Sequence, residues 1–323
     1  MPDNRKQIAL PRLHQLATRL RMKHLLLLRA IHEHGSLTRV AEYMATSQPA
    51  VTQMLADLEA LFGAPLFTRS VRGMYPTALG KLALSRAETM LVDLNHWVLD
   101  LESATQGHAA HLHIGVIPFL PGRLLAHALN QTRPNGQRVT VTLHEDTSDN
   151  LLVRLRAHEL DCVIGRTSAV LDMEGLSHEI LYEQAPRLIA HQRLARQLNR
   201  KPLEWKALIN LDWILGARQT PMREQIADFF LRAGVQPPIP LVETLSAKLI
   251  GELIAANDRA LSIVPEDIAE ELTRIAKISI VQHRFNWTLP PITLFQRQAG
   301  ADYPEKNAFI DALRHSSRTL NNL

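Results

Sequence analysis

Gln48, Pro49, Thr52 and Gln53 stand close together, with Ala56 one helical turn further on. At 3.6 residues per turn they share a face. None carries a charge, and each is small or bears an amide. A solvated helix face ordinarily carries Lys and Glu. A face that must approach a groove closely keeps its bulk low and offers hydrogen-bonding groups. A glutamine amide can bond adenine N7 and N6 together, and threonine can bond a base edge or touch a thymine methyl. A helix N-terminus also attracts phosphate. The chemistry on offer is base-edge recognition.

A second set of residues points to small-molecule binding. "IPFLPG", "EDTSDN" and "GARQTPM" each follow a predicted strand, where ligands of open α/β sheets bind. Thr220 is placed to cap a helix whose first residue is Pro221, with Arg218 and Gln219 before it. Arg218 could hold a carboxylate or phosphate, with Thr147 and Ser148 holding it from the loop after another strand. The alternative is plain for each: Thr and Ser cap helices everywhere, and a loop Arg is usually solvated. Pro118 and Phe119 would supply an apolar wall.

Fifteen histidines raise the rival reading of a small-molecule-binding α/β enzyme or a metal-binding protein with an accessory helical domain. His108, His111 and His113 are the densest group, with His32 and His34 next. Neither group has the i, i+4 spacing of a helical zinc site. There is no Gly-rich phosphate loop, nucleophile elbow or defensible acid/base pair. The expectation is a protein that is not an enzyme and needs no cofactor or metal.

The elements that position these residues follow from periodicity. Gly35 closes a helix containing "LLLLRAIHEH", and Ser36 is placed to cap a second helix running to about Met44. A turn, Ala45-Thr46-Ser47, leads to a third helix with Ser47 as its cap and Pro49 in its first turn. Val51, Leu55, Leu58 and Phe62 form its apolar face, expected to pack on Val40, Ala41 and Met44. "LFTRSVRGMYPT" reads as two short extended pieces around a turn at Arg72-Gly73.

A long helical pattern then runs from Thr77 to about Thr105. Leu84, Ala87, Leu91, Leu94, Val98 and Leu101 are spaced as an a/d seam, which predicts a dimerising coiled coil rather than packing on the helix's own domain. After a break at "TQGHAAH", strands ("LHIGVI", "VTVTLHE", "DCVIG", "RLIAH", "DWILG", "PLVET", "ALSIVP") alternate with amphipathic segments, which argues for a mostly parallel sheet covered by helices.

Bulk properties agree. Residues 1–76 hold ten Lys/Arg and five Asp/Glu, a net +5, while the remainder is −1. A basic module on a near-neutral body suggests a polyanion partner. One cysteine, Cys162, excludes an internal disulfide and fits a reducing compartment. With no signal peptide and no run long enough to span a bilayer, a cytoplasmic protein without membrane contact is expected.

The stretch "GSLTRVAEYMATSQPAVTQMLADLEALFGAPLFTRSVRGMYPTALG" resembles the N-terminal signature of LysR-type transcriptional regulators. The match lies in the Ser-x-Thr-x-x-Ala start, the Ser-Gln-Pro-Ala turn, Leu58-Glu59, "PLFTR" and "PTALG", and the resemblance covers nearly the whole chain. It implies an N-terminal winged helix-turn-helix (22–76, after a basic arm 1–21) and a coiled-coil linker helix (77–105). After a hinge (106–111) it implies a two-lobed α/β domain similar to periplasmic binding proteins (112–300), then a C-terminal tail (301–323). The first crossover between lobes is placed near Gly165-Arg166-Thr167 and the second just after Val264-Pro265, giving lobe 1 as 112–166 with 268–300 and lobe 2 as 167–267.

By the same resemblance, Ser47, Gln48, Pro49, Thr52 and Gln53 face the major groove of double-stranded DNA. Arg72 reaches backbone or minor groove, and Arg69 either braces the wing or contacts a phosphate. The arm, through Arg19, Arg21 and Lys23, either touches DNA or lies on the domain. A small-molecule effector, polar or anionic, would bind between the lobes at Pro118, Phe119, Thr147, Ser148, Arg218, Gln219 and Thr220. The protein would dimerise through 77–105, pair dimers into a tetramer and contact RNA polymerase. Two departures bear on specificity: many members carry Arg or Lys where Gln53 stands, and a small polar residue where Pro118 and Phe119 stand. Val40 also replaces the usual Ala of the second helix, a packing change.

Overall fold

The computed structural model describes residues 16–71, 73–132, 136, 138–167, 172–218, 220–275, 277–298 and 303–321, with side chains to 318. Two compact units divide near Leu99–Asp100.

In the first unit, α1 (Met22–His34), α2 (Leu37–Tyr43) and α3 (Gln48–Phe62) precede a hairpin of β1 (Phe67–Ser70) and β2 (Gly73–Pro76). Gly35 ends α1 in the left-handed conformation, and Gly63 ends α3 in the same way. Ser36 and Ser47 occupy their N-cap positions with extended backbone, but neither hydroxyl makes the expected capping hydrogen bond. The core joins Leu27, Leu28, Ile31, Val40, Ala41, Val51, Leu55 and Leu58, with Met44 and Phe62 packed at its edge. Leu20, at the end of the basic arm, also packs on this core, while Arg19, Arg21 and Lys23 are exposed. Residues 1–15 of the arm lie outside the described residues.

Three residues of the "LEALFGAPLFTRSVRGMYPTALG" stretch have direct structural causes. The Glu59 carboxylate accepts hydrogen bonds from the backbone N–H of Leu66 (2.7 Å) and Phe67 (3.2 Å), tying the end of α3 to the start of the wing. Gly80 lies so close to the Leu66 carbonyl that a Cβ there would sit 1.9 Å from its oxygen, so no larger residue fits without backbone movement. Thr77 caps α4 (Ala78–Thr105): its hydroxyl accepts from Gly80 N–H at 3.0 Å and donates to the Pro65 carbonyl at 2.9 Å.

The a/d seam read along α4 does not hold as one surface. Leu84 and Ala87 are buried in the first unit's own core, and Leu91 packs against it, whereas Val98 and Leu101 are about half exposed. A 3-4 spacing arises equally from a helix laid on its own domain, and that explanation holds for the N-terminal half. A different stripe, Leu79, Leu82, Met90 and Trp97, is exposed instead.

In the second unit, β3 (His111–Val116), β4 (Thr140–Glu145) and β5 (Cys162–Arg166) are parallel. β6 (Leu176–Tyr182) and β12 (Ile292–Arg297) complete a sheet of order β4-β3-β5-β12-β6, with β12 antiparallel to both neighbours. The other sheet has order β11-β7-β10-β8-β9, from β7 (Pro186–His191), β8 (Asp212–Leu215), β9 (Val242–Glu243), β10 (Ala260–Pro265) and β11 (Ile278–Ile280). Each sheet has its own apolar core, the first packed by α5 (Gly122–Gln131) and α6 (Ser148–Arg156), the second by α7 (Gln192–Leu198), α8 (Trp205–Leu208), α9 (Pro221–Arg232), α10 (Ala247–Ala256) and α11 (Glu266–Leu272).

The crossovers therefore differ from expectation. The chain leaves the first sheet after Tyr182 and returns between Ile280 and Ile292. β6 stays with lobe 1 because β12 pairs with it over six residue positions. Lobe 2 is one continuous stretch, β7 to β11. Nor is the C-terminus a tail: α12 (Pro304–Asn321) buries Phe309, Ile310 and Leu313 in lobe 1's core.

Candidate nucleic-acid interface and effector cleft

On α3 the two faces separate cleanly. Val51, Leu55 and Leu58 are buried, while Ser47, Gln48, Pro49, Thr52, Gln53 and Ala56 are exposed. Three local hydrogen bonds hold the exposed side chains. Gln48 Nε2 donates to Thr52 Oγ1 (3.1 Å), and Thr52 Oγ1 donates to the Gln48 carbonyl (3.0 Å). Gln53 Nε2 donates to Asp57 Oδ1 at 2.8 Å. This last contact was missed in the sequence reading, although its i, i+4 spacing was the available signal. It uses one amide proton of Gln53 and fixes the amide's orientation. Oε1 and the second N–H remain, the pair that adenine recognition requires.

Arg69 is exposed on β1. Among the described residues its side chain makes no ion pair, so the bracing role has no contact behind it and the phosphate-contact alternative stands. Arg72 lies outside the described residues.

In the second unit, Pro118, Phe119, Thr147, Ser148 and Thr220 line one cleft between the two lobes, together with Ile117, Asp149, Arg166 and Met222. The residues come from loops and helix starts beyond strand ends. Ser148 begins α6 (Ser148–Arg156), and Thr220 caps α9 (Pro221–Arg232), its hydroxyl accepting from Arg223 N–H at 3.4 Å. Both N-termini carry partial positive charge. Gln219 lies outside the described residues. Arg218 is not in the cleft: its Nε donates to Glu243 at 3.2 Å, and the pair is largely solvent-exposed. Glu243 reaches it because β9 pairs with β8.

The cation of the cleft is Arg166, which sequence reasoning took only as a crossover marker. It ends β5, a strand buried at every position. Its guanidinium donates to the Pro290 carbonyl and to Gln184 Oε1. Gln184 Nε2 in turn donates to Asp267 Oδ2 at 2.5 Å. Burial pulls the Arg166 pKa down to about 10, which leaves it charged at neutral pH. Burial pushes the Asp267 carboxyl upward, opposed by the hydrogen bonds from Gln184 and Ile268 N–H. This chain runs from lobe 1 through the crossover to lobe 2.

Phe119 bridges the lobes differently. It sits in the loop after β3 with φ of +66°, a left-handed conformation costly for a bulky residue. Its ring is buried in the core of lobe 2. The cleft encloses about 40 Å³, room for a few waters, whereas small-molecule pockets hold roughly 300 Å³ or more. At this lobe separation the cleft is too small for a metabolite-sized molecule.

Of the histidine group, His111 and His113 lie on β3, and His108 precedes it. His108 Nδ1 meets Thr140 Oγ1 (3.2 Å), and His111 Nε2 meets Thr142 Oγ1 (2.7 Å). His113 Nδ1 meets His144 Nε2 (3.2 Å), and Arg154 donates to His144 Nδ1 (3.0 Å). Among the described residues no three His, Cys, Asp or Glu side chains converge to hold a metal.

Comparison with known proteins agrees with both units. Residues 22–81 match the family "Bacterial regulatory helix-turn-helix protein, lysR family", and residues 105–318 match the "LysR substrate binding domain". The chain is 26% identical to the HTH-type transcriptional regulator GbpR of Azospirillum brasilense over 304 residues, 94% of this chain and 89% of that protein. It is 30% identical to GbpR of Rhizobium radiobacter over 253 residues, 77% and 82%. Its fold is similar to full-length CbnR complexed with its target DNA, with a TM-score of 0.62 at 23% identity, covering 92% of this chain and all of that one. The fused helix-turn-helix and two-lobed domain thus have one reading: the chain belongs to the LysR family, DNA-binding transcriptional regulators with an effector-binding domain.

Proposed function

We propose that α3 enters the major groove of operator DNA with Gln48, Pro49, Thr52 and Gln53 against the base edges, and that the wing tracks the backbone through Arg69 and Arg72. The observation that carries this is the division of α3 into one buried apolar face and one exposed, uncharged, hydrogen-bonding face. A dimer formed through the exposed stripe of α4 places two such helices on half-sites one or more DNA turns apart. Pairing of dimers into a tetramer and contact with RNA polymerase complete the reading. The protein acts by binding rather than by catalysis, in the cytoplasm with its DNA. No helix among the described residues is long and apolar enough to cross a membrane.

The effector is a small anionic or strongly polar molecule held between the lobes. Arg166 and the N-termini of α6 and α9 supply positive potential, and Thr147, Ser148 and Thr220 supply hydroxyls. The ligand must prefer one lobe separation over another to act as a signal. A mobility-shift titration on the protein's own upstream DNA, with and without a panel of carboxylic acids, tests both parts. Sequence-specific retention that an acid alters, and that Thr220→Ala no longer lets it alter, is the expected result. No specific retention under any condition refutes the DNA reading.

A further inference from the structure

Lobe 2 carries a groove of about 410 Å³ that shares no residue with the interlobe cleft. It lies between α9, Trp205 and the return segment 281–291. Its wall includes Trp205, Gln225, Asp228, Phe229, Arg232 and Trp287. Phe229 stands between the two indoles, its ring 4.6 Å from Trp205 and 6.1 Å from Trp287 between centroids. All three rings remain partly exposed. The volume is already that of a small-molecule pocket.

The polar groups narrow the ligand. Gln225 Oε1 and Trp287 Nε1 are buried and have no hydrogen-bond partner among the described residues. Leaving such atoms unpaired is costly. One accepts and the other donates, and a hydroxyl can satisfy either. Asp228 and Arg232 lie one turn apart on α9 and, among the described residues, neither is in an ion pair. A net anion would gain Arg232 and be repelled by Asp228, and a cation would meet the reverse. An uncharged polyol can bond to both. A ring with an apolar C–H face and a hydroxylated edge matches the aromatic wall and the polar atoms together. We infer that this groove binds the ring of an uncharged monosaccharide, as a second ligand site apart from the cleft.

Two of the chain's four tryptophans line the groove, so intrinsic fluorescence of the full-length protein reports occupancy. The probes are D-glucose, D-galactose and D-xylose, with sodium benzoate as a charged planar comparison. At least one sugar should give a saturable change. Gln225→Ala and Trp287→Phe should each weaken it about tenfold, the worth of one hydrogen bond. Asp228→Ala, at an exposed position that leaves the core intact, should do the same, and Thr220→Ala in the cleft should not. No saturable change with any sugar up to about 10 mM, beyond the weak end of specific binding, overturns the inference. So does a response that Thr220→Ala abolishes and the groove variants keep, or benzoate binding tighter than every sugar.

Discussion

Replacing Phe119 separates two opposing energies. The ring's burial in lobe 2 favours closed lobes, while its φ of +66° opposes them. Phe119→Ala removes the ring and keeps a Cβ in the left-handed region. Losing a buried phenyl costs about 3 kcal/mol, at the low end of Phe-to-Ala changes, because the site can relax as the lobes part. Phe119→Gly loses the same burial but relieves about 1–2 kcal/mol of backbone strain. It adds about 0.5–1 kcal/mol of unfolded-state entropy. Glycine should therefore be the more stable variant by about 0.5–1 kcal/mol, the reverse of the order at ordinary positions. Calorimetry of the effector unit should show Phe119→Ala lowering its Tm by about 6–12 °C, at about 2–4 °C per kcal/mol for a unit of this size. Phe119→Gly should fall between Ala and the parent. If alanine proves equal to or more stable than glycine, the strain argument fails. If Phe119→Ala melts with the parent, the ring does not hold the lobes.

Three further outcomes are expected. Gln53→Ala should cost about 1–3 kcal/mol at the cognate site and little on random DNA, measured by fluorescence anisotropy; equal losses on both would mean that Gln53 does not read a base. Leu82→Glu with Trp97→Glu places charges on the exposed stripe of α4 and leaves the domain core untouched. Losing two apolar contacts of about 2 kcal/mol each should weaken the dimer about a thousandfold, and unchanged sedimentation would remove the stripe from the interface. Cys162 is buried, and burial pushes its thiol up to about 12 from 9.0. Between those values the unfolded thiol releases its proton and the folded one keeps it, so stability present below about pH 9 declines toward pH 12. Cys162→Ala should flatten that decline in thermal melts, and the native thiol should resist iodoacetamide at neutral pH until denatured.

The DNA-binding unit was legible because its signals are local. A cap position, a proline in the first turn and an apolar period fix α3 within fifteen residues, and the exposed face follows from the buried one. Seven strands of the second unit were readable for the same reason, but β6, β11 and β12 were not. What could not be read depends on partners far along the chain. β12 inserts between β5 and β6 across more than a hundred residues, so the lobes were divided in the wrong places. Arg218 looked like an anion holder until β9 brought Glu243 beside it. Arg166 looked like no more than a crossover residue because nothing local reveals that Gln184, Asp267 and Pro290 gather around it. In α4 the period itself was ambiguous: Leu84 and Val98 share a heptad pattern, yet one is buried in its own domain and the other exposed.

The strand order of lobe 1 also sets a schedule for synthesis. Lobe 2 is continuous from β7 to β11 and has its ladder complete as soon as residue 280 emerges. Lobe 1 begins earlier but finishes last. Among the described residues β6 has no sheet neighbour except β12, and α12 covers the same core. Until β12 leaves the ribosome, one edge of β5 and all of β6 are unpaired, a state prone to wrong association. A nascent or truncated chain would thus hold its recognition helix and a finished lobe 2 while lacking the cleft between the lobes, because β12 and α12 complete lobe 1 last.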